Sequence, residues 1–205
     1  MITLVTGGSG SGKSEYAEHL VLQSGSIRRC YVATMIAYGT EGREKVLRHQ
    51  MLRRGKGFIT IEQPRDVGQI VLEPPEDAGK GEMAPEPPGD GGKRAMTPAP
   101  AVLLECVSNL AANEMFGGTP EDNGDMDVSR LAEKIEADIL CLSRQARDMV
   151  IVTNEVDRDG LVYDRETMEY IRLMGLLNKR LASMADRVVE VVCGIPVMLK
   201  QAGGN

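Results

Sequence analysis

Short apolar runs alternate along the chain with longer stretches of mixed polarity. Ile2–Val5, Cys30–Ala33, Phe58–Glu62, Ala101–Glu105 and Met149–Val152 are rich in β-formers and read as strands. Between them the pattern turns helical: Ser14–Leu22, Glu41–Arg54 with Val46 and Leu47 facing inward, a stretch through Met115, Val128–Arg147 and Arg165–Ala185. The chain closes with Arg187–Cys193, a Gly194-Ile195-Pro196 turn and Val197–Leu199, spaced as a hairpin. Continuous apolar strands separated by helices predict an α/β fold with a mostly parallel sheet, helices on both faces and an antiparallel pair at the end.

One segment breaks this rhythm. Residues 73–100 hold seven of the ten prolines with five glycines and almost nothing apolar. Such a composition cannot bury enough surface to offset chain entropy, so it reads as a disordered surface insertion, with a lid or docking segment as the functional alternative. Strand-helix alternation resumes after it, which makes the expectation one domain over 1–205. The formal charge of −6 argues against a nucleic-acid-coating protein. No secretion pattern and no apolar run of bilayer-spanning length is present, so a soluble cytoplasmic protein is expected. Cys30, Cys106, Cys141 and Cys193 are scattered through apolar runs without metal-ligand spacing, and reduced core thiols are expected.

The chemistry starts at the first strand. Gly7-Gly8-Ser9-Gly10-Ser11-Gly12-Lys13-Ser14 fits G-x-x-x-x-G-K-[ST] without a mismatch. Its glycines allow successive N–H groups to converge on phosphate, Lys13 reaches the β- and γ-phosphates, and Ser14 offers its hydroxyl to Mg²⁺. A Gly/Ser turn can match this pattern by chance, but here a strand precedes it and a helix N-terminus follows.

In open parallel sheets ligands lie beyond the carboxyl ends of the strands, where this chain carries Thr34, Glu105 and Asn154-Glu155. Glu105 stands where an acid would hold Mg²⁺; a carboxylate there also caps a following helix. A polar strand end such as Asn154-Glu155 is common without function. His49 lies among Arg43, Lys45, Arg48, Arg53, Arg54 and Lys56, with Glu44 the one acid. A lone histidine on a charged helix is usually only solvated, yet these cations would keep the ring neutral and draw a triphosphate toward it. His19, on the first helix, reads as a surface or packing residue.

The chain resembles the bifunctional adenosylcobinamide kinase / adenosylcobinamide-phosphate guanylyltransferase family of cobalamin biosynthesis. The resemblance runs through Leu4-Val5-Thr6-Gly7-Gly8, Ser11–Ser14, Tyr31–Thr34, Val46-x-x-His49-x-x-x-Arg53, Leu103–Cys106, Thr153–Val156, Leu177-Asn178 and Gly194-Ile195-Pro196, leaving the proline-rich insertion outside it. It implies a P-loop NTPase fold of RecA-like type and two reactions. A nucleoside triphosphate, ATP or GTP, phosphorylates the aminopropanol arm of adenosylcobinamide, and GTP then donates GMP to that phosphate through a guanylylated histidine. That histidine maps onto His49, with nucleotide contacts implied at Thr34, Gln50 to Arg53, Glu62 and Glu105, and a homotrimer with the nucleotide site near a subunit contact. This chain departs from the family at Gly10, where arginine is frequent, at Asp157, where glycine is usual, and near Leu173 and Met174, where an acid is common. Two other readings share the loop: a P-loop kinase or nucleotidyltransferase for another small molecule, and a nucleotide-dependent switch.

Overall fold

The computed structural model describes residues 1–36, 55–72, 98–117, 127–156, 161, 163–201 and 203. Seven strands form one sheet: β1 (Ile2–Thr6), β2 (Arg29–Ala33), β3 (Phe58–Glu62), β4 (Ala101–Glu105), β5 (Asp148–Val152), β6 (Arg187–Val192) and β7 (Ile195–Lys200), in the order β3-β2-β4-β5-β1-β6-β7. Every pairing is parallel except β6 with β7. The helices among the described residues are α1 (Lys13–Gln23), α2 (Val107–Phe116), α3 (Val128–Ser143) and α4 (Arg165–Met184). The expected helix over 41–54, and residues 73–97 of the expected insertion, lie outside the described residues.

Alternation along the central strands divides the core in two. Val5, Val150, Val152 and Val189 turn toward Ala17 and Val21 of α1. Leu4, Met149, Ile151 and Val188 turn the other way, onto the apolar stripes of α3 and α4. Those stripes, Ala132, Ile135, Ile139 and Leu142 on α3 and Leu173, Leu177 and Leu181 on α4, are fully buried. Asp127 and Asp164 cap these helices through the amides of Ser129 and Thr167, satisfying donors that the first turn leaves open.

Two boundaries and one short element differ from the sequence reading. Helix α3 stops at Ser143 instead of Arg147, because the Gln145 side chain bonds Ile70 and Leu72 and the Arg147 amide donates to Pro100, pulling the chain into β5. A 3₁₀ turn at Val67–Gln69, unmarked in the sequence, packs on α3 so closely that a Cβ on Gly68 would lie 2.5 Å from Asp138 Oδ1. The hairpin turn is Cys193-Gly194, with φ of 50° and 80°, so Ile195 and Pro196 belong to β7. Two left-handed residues match the twist of a two-residue hairpin, and Pro196 is tolerated because β7 is the edge of the sheet.

The cysteines also divide. All four are free and Cys30 and Cys106 are buried, but Cys141 and Cys193 are exposed, contrary to the expectation of core thiols. Cys141 falls one position off the buried stripe of α3, and Cys193 occupies the turn. Asparagine is better suited than cysteine to a left-handed first turn position. Cys193→Asn is therefore expected to stabilise the protein by about 0.5–1 kcal/mol, read as a raised urea midpoint at unchanged slope.

Candidate active site

The loop between β1 and α1 is shaped by what lies behind it. Gly7 has φ 150°, and a Cβ there would stand 2.5 Å from the Val191 carbonyl of β6; Gly12, with φ 90°, lies against Gly194 of the hairpin turn. The Gly194 amide donates to the Ser11 carbonyl (2.8 Å), and the Ser11 amide to the Gly8 carbonyl (3.2 Å). The hairpin thus backs the loop, and side chains at these two glycines would push it outward. Gly8, Ser9 and Gly10 form its exposed outer turn. Ser11 Oγ is buried and has no hydrogen-bond partner among the described residues. A buried hydroxyl needs a partner, which a phosphate oxygen held in the loop would supply.

Lys13 opens α1 with only 8% of its surface exposed, its ammonium donating to the Gly8 carbonyl at 2.9 Å. Burial lowers its pKa from the ordinary lysine value, while Cys106 and the carboxylates of Glu105 and Glu155 act in the opposite direction. Next to it, Ser14 Oγ donates to Glu105 Oε1, and Tyr31 donates its hydroxyl to Glu105 Oε2 at 3.0 Å. Tyr31 is itself fixed edge-on to Phe58, with ring centroids 6.2 Å apart. Glu105 ends β4, two strands from β1 across β5. A hydroxyl and a carboxylate side by side are hard oxygen donors suited to Mg²⁺, which takes few protein ligands and completes its shell with water and phosphate. The residues present fit that ion.

Thr34, after β2, is fully buried, and its hydroxyl bridges to the strand end beside it: it donates to the Cys106 carbonyl and accepts from the Cys106 amide, both at 2.8 Å. Its own carbonyl accepts from Asn113. Glu62 is exposed at the end of β3, next to β2. At the end of β5, Thr153 Oγ1 donates to Asn178 Oδ1 (2.6 Å), Asn154 Nδ2 to Ser108 Oγ (2.6 Å) and Asn178 Nδ2 to the Asn154 carbonyl (3.1 Å). The structure therefore gathers Lys13, Ser14, Glu105 and Glu155 at one edge of the sheet. It leaves Glu62 farther along that edge, and His49, Gln50 and Arg53 lie outside the described residues. Lys56, counted with the basic segment, is paired with Glu18 of α1. Sequence reasoning missed Tyr31 as a clamp on Glu105, since a tyrosine within an apolar run reads as core.

Comparison with known proteins identifies the family. The family model for cobinamide kinase / cobinamide phosphate guanyltransferase matches residues 3–80 and 92–199. The chain belongs to this family. It is an enzyme, a bifunctional kinase and guanylyltransferase of cobalamin biosynthesis. The bifunctional adenosylcobalamin biosynthesis protein CobU of Escherichia coli strain K12 is 30% identical over 206 residues, covering 98% of this chain and 100% of that protein. CobU of Salmonella typhimurium has the same identity and coverage, and CobP of Pseudomonas aeruginosa is 26% identical over 200 residues, covering 98% of each. Among solved structures, the flagellar accessory protein FlaH of Methanocaldococcus jannaschii shows a TM-score of 0.42 at 13% identity, covering 98% of this chain and 78% of that one. The ATPase domain of a second protein shows 0.49 at 8%, covering 100% and 78%. The P-loop fold stands on the strand order and the loop itself. The family match runs through residue 80 and resumes at 92, so it reaches into both ends of the proline-rich segment expected to lie outside it.

Lys13 carries a measurable consequence. With its pKa in the fold below the unfolded value, the unfolded chain binds more protons between the two, so its charged burial weakens the fold fully at every pH below the lowered value and less above it. Lys13→Met is expected to raise the urea midpoint at neutral pH. That gain shrinks as pH climbs through the lowered value toward 10.5 and the wild type sheds the charge. In the same variant phosphoryl transfer falls by at least about 10²-fold.

Proposed function

We propose that this enzyme first transfers the γ-phosphoryl group of ATP or GTP to the hydroxyl of adenosylcobinamide, and then GMP from GTP to the resulting phosphate, through His49. The observation that carries the reading is the joining of Lys13, Ser14 and Glu105 at the carboxyl edge of the sheet in a chain whose family match spans His49. In the first step the loop amides and Lys13 hold the β- and γ-phosphates, and Ser14 with Glu105 would hold Mg²⁺. The ion, when bound, supplies charge neutralisation on the phosphate oxygens. Gly7 through Gly12 bind and orient, and Lys13 stabilises charge passing to the leaving nucleoside diphosphate.

In the second step a neutral His49 nitrogen attacks the α-phosphorus of GTP, the bond to pyrophosphate breaks, and a phosphoramidate forms. The substrate phosphate oxygen then displaces the imidazole, giving adenosylcobinamide-GDP. Gln50 and Arg53, beside the histidine, together with the strand end at Thr34, Glu62 and Glu105, are the remaining nucleotide contacts in this reading. Thr34 serves as an anchor, since its hydroxyl is already engaged with Cys106. We read 1–205 as one nucleotide-binding domain in a cytoplasmic homotrimer with no nucleic-acid partner. Self-assembly is supported by the open β7 edge, where Ile195 is 65% and Leu199 58% exposed. Among the described residues no helix is long and apolar enough to cross a membrane.

Incubation with α-labelled GTP and Mg²⁺ followed by denaturation is expected to leave acid-labile, alkali-stable label on the wild-type chain and none on His49→Ala. Label absent from the wild type, or persisting in the variant, overturns the histidine carrier. Undiminished phosphorylation of adenosylcobinamide by Lys13→Ala overturns the role of the loop.

A further inference from the structure

A cavity of about 410 Å³ lies on the face of the sheet opposite α1, between the sheet and α4. Thr6, Thr153, Glu155 and Asn178 line it at the carboxyl end of the strands, and Leu4 and Met174 are among the apolar residues farther in. Leu4 precedes Thr6 by two positions on the same face of β1, so the cavity runs from the strand ends back beneath α4. Its polar mouth adjoins the phosphate loop: Thr6 leads directly into Gly7, and Glu155 is close enough to Lys13 to support its charge.

Gly175 is the second observation. It lies exposed in the middle of the twenty-residue α4 and lines the cavity, and a Cβ built there would meet nothing within 4 Å. Glycine is among the poorest helix formers, and here neither a left-handed backbone nor a crowded neighbour among the described residues calls for it. A longer side chain at this position would occupy the space. Thr153 and Asn178, bonded to each other, and Asn178 bonded to the Asn154 carbonyl, hold the mouth in shape. Glu155 is the carboxylate among the groups that line it.

We propose that this cavity seats the acceptor, an alcohol on a short aliphatic arm, and that Glu155 is the base that takes the hydroxyl proton in the phosphoryl-transfer step. The inference rests on the kinase reading above and names where its acceptor sits. The hydroxyl of the adenosylcobinamide arm points to the polar mouth, its aliphatic part lies along the apolar wall, and the macrocycle stays outside. As the proton passes to Glu155, the oxygen forms its bond to the γ-phosphorus, and the bond between that phosphorus and the β–γ bridging oxygen breaks. The electron pair leaves with the nucleoside diphosphate, and Glu155 afterwards returns its proton to water. The two substrates thereby approach the strand ends from opposite faces of the sheet, the triphosphate from the α1 side and the alcohol from the α4 side.

Two assays on the full chain separate this from a structural role: γ-phosphoryl transfer to adenosylcobinamide, and covalent labelling by α-labelled GTP without acceptor. Gly175→Leu is expected to raise KM for adenosylcobinamide at least about tenfold, with KM for the triphosphate changed less than about threefold. Glu155→Gln is expected to lower kcat of phosphoryl transfer by about 10²–10³-fold, a far larger loss than any in its guanylyl labelling. Glu155→Asp, which keeps the carboxylate, recovers part of that loss. The proposal is overturned if Gly175→Leu leaves the acceptor KM unchanged, if Glu155→Gln transfers phosphate at a wild-type rate, or if Glu155→Gln loses labelling in the same proportion, which would make Glu155 only a counter-charge for Lys13. Wild-type protein that takes the guanylyl label yet never phosphorylates adenosylcobinamide would instead refute the kinase reading, and this inference with it.

Discussion

The structure is organised around one buried ammonium. Lys13 is nearly removed from solvent at the start of α1, where a carbonyl of its own loop accepts from it and the carboxylates of Glu105 and Glu155 favour its charge. Those carboxylates come from the ends of two different strands, so the sheet must bring β4 and β5 beside β1 before the loop has its electrostatic partners. The hairpin of β6 and β7 presses the loop into shape from behind, and Tyr31 and Ser14 hold Glu105 in place from two sides.

The same arrangement explains why so many polar side chains are buried along the carboxyl edge. Thr34 bonds to both backbone groups of Cys106, and Thr153, Asn154, Asn178 and Ser108 form a connected set that ties β5 to α2 and α4. These bonds tie down strand ends at which regular pairing stops, though Asn154 Oδ1 is buried without a partner among the described residues. In the proposed reading that anchoring matters, since dipoles already in position would need no reorganisation as the reaction proceeds. Away from that edge, the cluster of Asp66, Glu114 and Asp138 has an equally plain electrostatic logic. Lys134 reaches all three carboxylates, so the three acids form a salt-bridged strut between the 3₁₀ turn and helices α2 and α3.

Much of this was legible in the residue order, because the signals are local. Strand positions follow from continuous apolar runs such as Leu103-Leu104, the loop from its glycine spacing, and the helix starts from the turn to helical pattern near Val128 and Arg165. The misreadings occurred where a distant segment decides the outcome. Gln145 ends α3 early by bonding a strand connection more than seventy residues away, and Cys141 looks apolar in sequence yet falls just outside the buried stripe. The hairpin turn fell one residue earlier than expected because Cys193 accepts a left-handed conformation that its side chain does not advertise.

By itself, then, the order of residues determined the α/β class, the phosphate loop and the family, since hydrophobic period, glycine spacing and motif order are written along the chain. Only the tertiary structure decided that Tyr31 and Ser14 share Glu105, that a hairpin supports the loop, and that a cavity opens beside Gly175 on the opposite face of the sheet. These are relations between residues far apart in sequence. They exist only once the parallel sheet has set strand order, because packing and charge depend on distance in space and leave no periodic trace along the chain.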